Sequence, residues 1–293
     1  MNNITLKSPA KINLSLDITE KNSQGYHILN MIVQTIDIYD YITFSKNNSK
    51  QINIFSQGLD IPLSEDNIMY KAVTKFFQIS NIPFSGININ ITKNIPVQAG
   101  LGGGSSNAAS ALFALNRLFD SPLSLTKLKE IGLTLGADVP LFFFGGTCLC
   151  QGVGEIITKL PALPLVYFVI IKPNFGFSTS EIYKLYDNIK VSKHIHTNKI
   201  ISAISRSDIK QITDNIYNVL EEAVTNKEIF NIKSALISQG ALASNMTGSG
   251  SCVFGIFDDK NLAQKSINKL KNIYPNIFLS TPINFDIEKG SVV

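Results

Sequence analysis

Hydrophobic and polar residues alternate over 4–7 and 11–18, where Ile12, Leu14, Leu16 and Ile18 share one face. This period of two predicts half-buried strands. The stretch 32–44, IVQTIDIYDYITF, alternates again through Ile36, Ile38, Tyr39, Ile42 and Phe44, with one slip. GININIT at 86–92 alternates strictly at Ile87, Ile89 and Ile91. Between these strands the spacing changes. Ile68, Met69, Ala72, Val73, Phe76 and Phe77 form an apolar stripe that predicts a helix over 67–77, capped by Asp66 or Asn67.

Downstream, NAASALFALNRLFD at 107–120 is small and apolar on one side and predicts a second helix. A third is expected at 125–135, with Ser124 as N-cap, Leu125, Leu128, Ile131 and Leu135 inward, and Gly136 as its stop. TCLCQGVGEII at 147–157 reads as a strand that turns at 152–154. PALP at 161–164 is a proline-bounded break, which predicts two units, 1–160 and 161–293. After it come a buried strand at 165–172, a mostly helical stretch at 181–240, a strand at 251–257 and a Lys-rich helix near 260–272. The order predicts an α+β fold in two halves.

Composition narrows the function classes. Of 293 residues, 44% are apolar and 16% charged, which predicts a globular chain. No apolar run reaches the ~18 residues of a membrane span, so no membrane association is expected. The first residues lack a basic segment followed by an apolar core, so no signal or transit peptide is expected. Three cysteines, Cys148, Cys150 and Cys252, make no disulfide framework and point to a reducing cytoplasm. Cys148 and Cys150 alternate on an apolar strand and read as packing residues. The net charge of +4 includes only two arginines, and the lysines are scattered, which argues against nucleic acid. A mild basic balance suits anionic substrates. His194 and His196 form an HxH without further ligands nearby and read as solvated surface.

The chemistry concentrates at 96–109, PVQAGLGGGSSNAA, where four glycines and two serines fall within 100–106. The loop lies between a predicted strand and a helix expected to begin near Ser106. A helix N-terminus offers unpaired N–H groups and a partial positive charge, and glycines ahead of it let an anion approach. Ser105 and Ser106 add hydroxyl donors. The loop is not a Walker A sequence, because Ser105 rather than lysine follows Gly104, nor a GxGxxG fingerprint, because position 105 is not glycine. HRD and DFG are absent, which removes the protein kinases. A flexible linker is the alternative reading. Two other residues stand out. Asp138 precedes the apolar run VPLFFF and reads either as a helix N-cap or as a catalytic carboxylate. Lys11 faces away from Ile12, Leu14 and Leu16, and on pattern alone reads as solvated.

The loop resembles the second motif of the GHMP kinases, PxxxGLGSSAA. SPAKINLSL at 8–16 is similar to that family's first motif and NMTGSGSCVFGIF at 245–257 to its third, in the expected order. The tripled glycine, Gly25-Tyr26-His27 after PAKINL, and LGADVPLF at 135–142 resemble the branch whose acceptor carries a cytidine diphosphate. The resemblance implies a two-domain fold, its N-terminal half like domain 2 of ribosomal protein S5 and its C-terminal half ferredoxin-like. It implies transfer of ATP's γ-phosphate to the 2-hydroxyl of a cytidine-diphosphate-linked methylerythritol, by a monomer or weak homodimer. Gln98-Ala99 stands where the family often has smaller residues, and Asn107 where many members have Asp.

The resemblance implies roles residue by residue. Asp138 matches the catalytic base and Lys11 its electrostatic partner. Pro96, Val97, Gln98, Ala99, Gly100, Leu101, Gly102, Gly103, Gly104, Ser105 and Ser106 match the ATP loop, and Asn67 and Ile68 the adenine side. A bulky residue at Gly103 is expected to disturb ATP. Mg2+ is expected between the phosphate oxygens, with Ser106 beside it and no ligand set of the protein's own. For the acceptor, Tyr26, His27 and Tyr183 match aromatic positions around the cytidine, with Asn13 and Thr179 as polar contacts. The competing readings are another GHMP kinase, such as one acting on homoserine, and a non-catalytic sensor of the same fold. A sensor would be free to lose Lys11 or Asp138, and both are present.

Overall fold

The computed structural model describes residues 2–287. β1 (Asn3–Lys21) and β2 (His27–Lys46) pair antiparallel over nearly their full lengths, joined by a turn at Gly25. Both are longer than the alternation suggests, because both faces of β1 are covered. Ile12 and Leu14 are buried in one core and Leu16 and Ile18 in another, because the register shifts between Asn13 and Ser15; Lys11, Asn13, Ser15 and Asp17 are buried too. The single face expected for Ile12, Leu14, Leu16 and Ile18 is broken at that shift, and burial of Lys11 overturns its solvated reading.

The slip in β2 is a two-residue insertion. Pro9 pairs with Tyr39 and Ala10 with Ile36, so Asp37 and Ile38 bulge out of the ladder. Beyond the hairpin come β3 (Ile52–Gly58), α1 (Ile68–Ser80), β4 (Ile87–Lys93), α2 (Gly103–Leu118), α3 (Leu125–Leu135), the single turn α4 (Leu141–Phe144), β5 (Thr147–Gly152) and β6 (Ile156–Lys159). β2 carries β4 along residues 41–46 and β5 along 29–34, and β6 pairs with β5. β3 extends the sheet in parallel with β4. α1, α2 and α3 pack with the sheet's inward residues in one core, including Phe44, Phe76, Ile89, Leu112 and Phe142. Burying each such side chain contributes about 1.5–3 kcal/mol.

The second half contains β7 (Tyr167–Ile171), α5 (Thr179–Tyr186), α6 (Thr197–Ser205), α7 (Ile209–Asn215), β8 (Tyr217–Asn218), α8 (Lys227–Ser238), β9 (Ala243–Met246), β10 (Val253–Phe257), α9 (Lys260–Leu270) and β11 (Ile277–Ser280). Four of its strands form an antiparallel sheet in the order β11-β7-β10-β9. β8 instead joins the first sheet, parallel to β1 at Ser15 and Leu16. A shared core sews the two sheets together: Ala10, Ile12, Leu14 and Ile32 lie with Phe168, Ile170, Cys252 and Phe254. The chain then returns to the first half. Asp37, pushed out by the bulge, accepts hydrogen bonds from Ser280 Oγ and Thr281 N, both at 2.6 Å, and Phe285 and Ile287 enter the first core.

The helix expected from 107 begins four residues earlier, at Gly103, with left-handed Gly102 as its N-cap. Glycine is about 1 kcal/mol worse than alanine in a helix. Burial of nearly the whole of α2 overrides that propensity. Asn67 and Ser124 cap α1 and α3 as expected, accepting from Met69 N and Lys127 N. Strands β3, β9 and β11 had no clear alternation to announce them.

Candidate active site

The two halves face each other across a cleft of about 840 Å³. That lies toward the upper end of the ~300–1,000 Å³ typical of ligand sites, which leaves room for two substrates side by side. Its floor includes Lys11, Asn13 and Leu16 of β1. Lys11 Nζ donates to Asn13 Oδ1 at 2.7 Å and lies 3.5 Å from Asp138 Oδ2. The Lys11 side chain is 5% exposed and that of Asp138 38%, so the carboxylate is the member of the pair open to a substrate. Asp138 lies in the turn between α3 and α4. The N-cap position of α4 is Pro140, so Asp138 does not cap it.

The glycine loop forms one wall. The first intrahelical bond runs from Ser106 N to Gly102 O, which leaves the N–H groups of Gly103, Gly104 and Ser105 without intrahelical acceptors. Their dipoles add at the start of a 16-residue helix. The glycines themselves serve different ends. A Cβ on Gly100 would drive into the Thr247 carbonyl, and one on Gly102 would lie 2.9 Å from Lys11 Cγ and 3.0 Å from Phe142 Cζ. One on Gly103 would meet Ile95 Cγ2 at 2.9 Å. All three positions are closed by protein. Only Gly104 of the four is open, its nearest neighbour being Ile68 Cγ2 at 3.9 Å.

The informative substitution is therefore Gly104→Ala rather than a change at Gly103. It should preserve or slightly raise the melting temperature, because alanine favours a helix by up to ~1 kcal/mol. A methyl on the path expected for a phosphate should weaken ATP by roughly tenfold, as expected of modest overpacking. Calorimetric titration with ATP checks this, and unchanged affinity would remove the phosphate role from Gly104.

Ser106 departs from its expected place. It is fully buried, and its Oγ bonds Ser8 Oγ at 2.8 Å. Neither its hydroxyl nor its N–H faces the cleft. Ser105 does line it, on the side of Gly136 and Asp138. Beneath the loop lies a polar cluster that sequence reading missed. Asp40 Oδ2 accepts from Lys93 Nζ at 2.6 Å and Asn107 Nδ2 at 2.8 Å, and its Oδ1 from Asn94 N and Ile95 N. Lys93 also donates to Ile95 O. Burial lowers the Lys93 pKa, against the raising effect of the Asp40 charge. Asn107 bridges Asp40 to Ser8, so the amide stands where a second carboxylate would repel the first.

Pro96, Val97, Gln98, Ala99, Gly100 and Leu101 line the cleft, as do Asn67 and Ile68. The Asn67 side chain is committed to its cap and to Pro62 O. Its backbone is engaged as well, the N–H with Ser64 O and the carbonyl with Lys71 N.

On the acceptor side, Asn13, Thr179 and Tyr183 line the cleft. His27 packs against Tyr183 with the rings tilted at 44° and centroids 4.9 Å apart, and its Nε2 lies 2.7 Å from Asp187 Oδ1. Lys21 donates to the other Asp187 oxygen, and these two hydrogen bonds hold that carboxyl below its ordinary range. Burial first, then the Asp138 charge, pushes the Tyr183 phenol well above 10. Tyr26 is not brought to this group; it sits 60% exposed in the β1–β2 turn. His194 and His196 are exposed, as expected, although His194 Nδ1 reaches buried Asp17 at 3.0 Å.

The third motif packs on the glycine loop ahead of α2, and its Gly248, Ser249 and Gly250 line the cleft. Asn218, fully buried on β8, donates to the carbonyls of Met246 and Gly248 and fixes that loop from behind. Its role was invisible in sequence, since the residues it joins lie about thirty positions away.

Comparison with known proteins agrees with this geometry. Residues 67–146 match the family model for the GHMP kinases N terminal domain and residues 200–276 the GHMP kinases C terminal. The chain is 44% identical over 283 residues to the 4-diphosphocytidyl-2-C-methyl-D-erythritol kinase of Clostridium perfringens, covering 95% of this chain and 98% of that one. It is also 44% identical to the enzyme of the same name from Clostridium botulinum over 280 residues, 95% of this chain and 99% of that one. Among solved structures, a 4-(cytidine 5'-diphospho)-2C-methyl-D-erythritol kinase superposes with a TM-score of 0.80 at 28% identity, over 95% of this chain and 98% of that one. Homoserine kinase from Cytophaga hutchinsonii gives 0.76 at 19% identity, over 100% of this chain and 98% of that one, a likeness of fold. With both family domains matched, near-complete coverage at 44% identity, and Lys11, Asp138 and the glycine loop around one cleft, the chain belongs to the GHMP kinase family.

Proposed function

We infer that this chain transfers the γ-phosphoryl group of ATP to the 2-hydroxyl of 4-diphosphocytidyl-2-C-methyl-D-erythritol, a step of the methylerythritol phosphate route to isoprenoid precursors. The observation that carries the reading is the 44% identity over 95% of the chain to relatives of that name. The Lys11–Asp138 pair, 3.5 Å apart at the cleft floor, supports it independently.

Phosphoryl transfer needs positioning, charge stabilisation and an acceptor for one proton. We assign the phosphates of ATP to the N–H groups of Gly103, Gly104 and Ser105. The acceptor's hydroxyl oxygen bonds to the γ-phosphorus as the bridging bond to ADP breaks, and its proton passes to Asp138. Lys11 neutralises charge gathering at the transferring group. His27 and Tyr183 take the cytosine end, with Asn13 and Thr179 as polar contacts. A Mg2+ ion arriving on ATP would find oxygen ligands of the chain at the cleft. Ser105 and Asp138 supply oxygen donors at the cleft, and the ion would neutralise phosphate charge there.

The expected division is 1–160 for the ATP loop and catalytic pair and 161–293 for the rest of the acceptor site. A monomer or weak homodimer is the expected assembly. The three buried free thiols suit the cytoplasm.

Release of ADP, followed with the cytidine-linked acceptor, homoserine and mevalonate in parallel, tests the assignment. Turnover is expected with the first alone, and comparable turnover of homoserine would overturn it.

A further inference from the structure

We propose that Thr247 is a positioning residue for phosphoryl transfer, holding Asn13 so that Asn13 in turn holds Lys11 against Asp138. This rests on the catalytic reading of Lys11 and Asp138 given above. Thr247 belongs to the second half of the chain and is fully buried. Its hydroxyl accepts the Asn13 backbone N–H at 3.0 Å. It has one proton to give, within reach of Gly100 O at 3.2 Å and Asn13 Oδ1 at 3.3 Å. One side-chain oxygen therefore touches the strand that bears Lys11, the glycine loop and its own turn, which are the three motifs of the chain.

Each end of this chain of contacts is constrained. Asn13 lies at an irregularity in the β1–β2 register, between Asn13 and Ser15, and its N–H turns to Thr247. Its amide is oriented from both sides, with Oδ1 taking Lys11 Nζ and Nδ2 donating to Met31 Sδ at 3.4 Å. Asn13 Oδ1 is the short contact of Lys11, at 2.7 Å against 3.5 Å to Asp138. Moving Asn13 thus moves the ammonium group. The glycine loop has separate anchors, Lys11 N to Leu101 O at 2.9 Å and Cys252 N to Ala99 O at 3.2 Å. Nucleotide binding should therefore survive loss of the hydroxyl better than turnover does.

The test compares Thr247→Val, Thr247→Ala and Thr247→Ser with the parent protein in steady-state kinetics and nucleotide titration. Valine keeps the shape and removes the hydroxyl; alanine removes it without bulk; serine keeps it. A displacement near 1 Å at a reacting group can cost about 10²-fold, so Val and Ala should lower kcat by roughly 10–100-fold. Nucleotide affinity should stay close to the parent's, and Ser should restore most of kcat. Turnover by Val or Ala within about twofold of the parent would overturn the proposal. So would a Ser variant as slow as Val, or unfolding of both Val and Ala, which would make the hydroxyl a folding element. The parent's own turnover of the cytidine-linked acceptor separates the two questions. Its absence contradicts the assigned function, whereas the ratio of variant to parent, with whichever acceptor the parent uses, decides the role of Thr247.

Discussion

Asp138→Asn is expected to lower turnover by about 10²–10⁴-fold, the range typical of a lost general base, or about 3–5 kcal/mol of transition-state stabilisation. The change is nearly isosteric, so the turn between α3 and α4 should keep its shape. Asparagine cannot take the acceptor's proton at neutral pH. Lys11 would retain Asn13 Oδ1 at 2.7 Å as its partner, so no buried cation is stranded. The phosphate contacts proposed for ATP are the N–H groups at the start of α2, away from this carboxylate, so ATP affinity should change little. Single-turnover kinetics with saturating ATP give the chemical step directly. Near-normal turnover would show that the carboxylate is not the base.

The second large effect concerns folding. Asp40→Ala should destabilise the protein by about 3–5 kcal/mol, the usual cost of removing one partner from a buried ion pair. Asp40 is fully buried, Lys93 is 4% exposed, and four donors converge on the carboxylate. Removing it strands the ammonium group and two backbone N–H groups just ahead of the glycine loop. A melting temperature lower by roughly 5–15 °C is the expected readout for a chain of this size. The double replacement Asp40→Leu with Lys93→Met should be much milder, because no charge is left unpaired. If the single and double variants melt alike, the pair contributes little and the hydrogen bonds to 94–95 carry the effect.

Much of this was legible in the chain. The alternation at 87–91 and the stripe in α1 marked a strand and a helix where they occur, because those segments bury one face, whereas the strand at 12–18 is buried on both sides and its alternation breaks at the shift after Asn13. The bulge in β2 showed as a slip in alternation. The glycine loop announced an anion site, yet its glycines misled in detail. Gly100, Gly102 and Gly103 are small because protein presses on them, and only Gly104 faces open space. No local pattern distinguishes these cases. Lys93 and Asp40 each look like a polar residue on a strand, and their meeting across 53 positions is a property of the sheet. Ser106 was placed at the helix start by propensity, but burial of α2 moves that start to Gly103 and turns Ser106 inward.

The return of the chain end to the first half bears on biosynthesis. Phe285 and Ile287 complete the core formed by β1 to β4 and the first three helices, and Gly145 leaves room for the Phe285 carbonyl. On the ribosome, the glycine loop emerges well before Phe285 and Ile287, which fill part of the core behind it. The first core thus stays incomplete until residues 285–287 have been made. A chain interrupted before them would lack two buried side chains of that core, so this short segment acts as a late stitch on the half that carries the glycine loop.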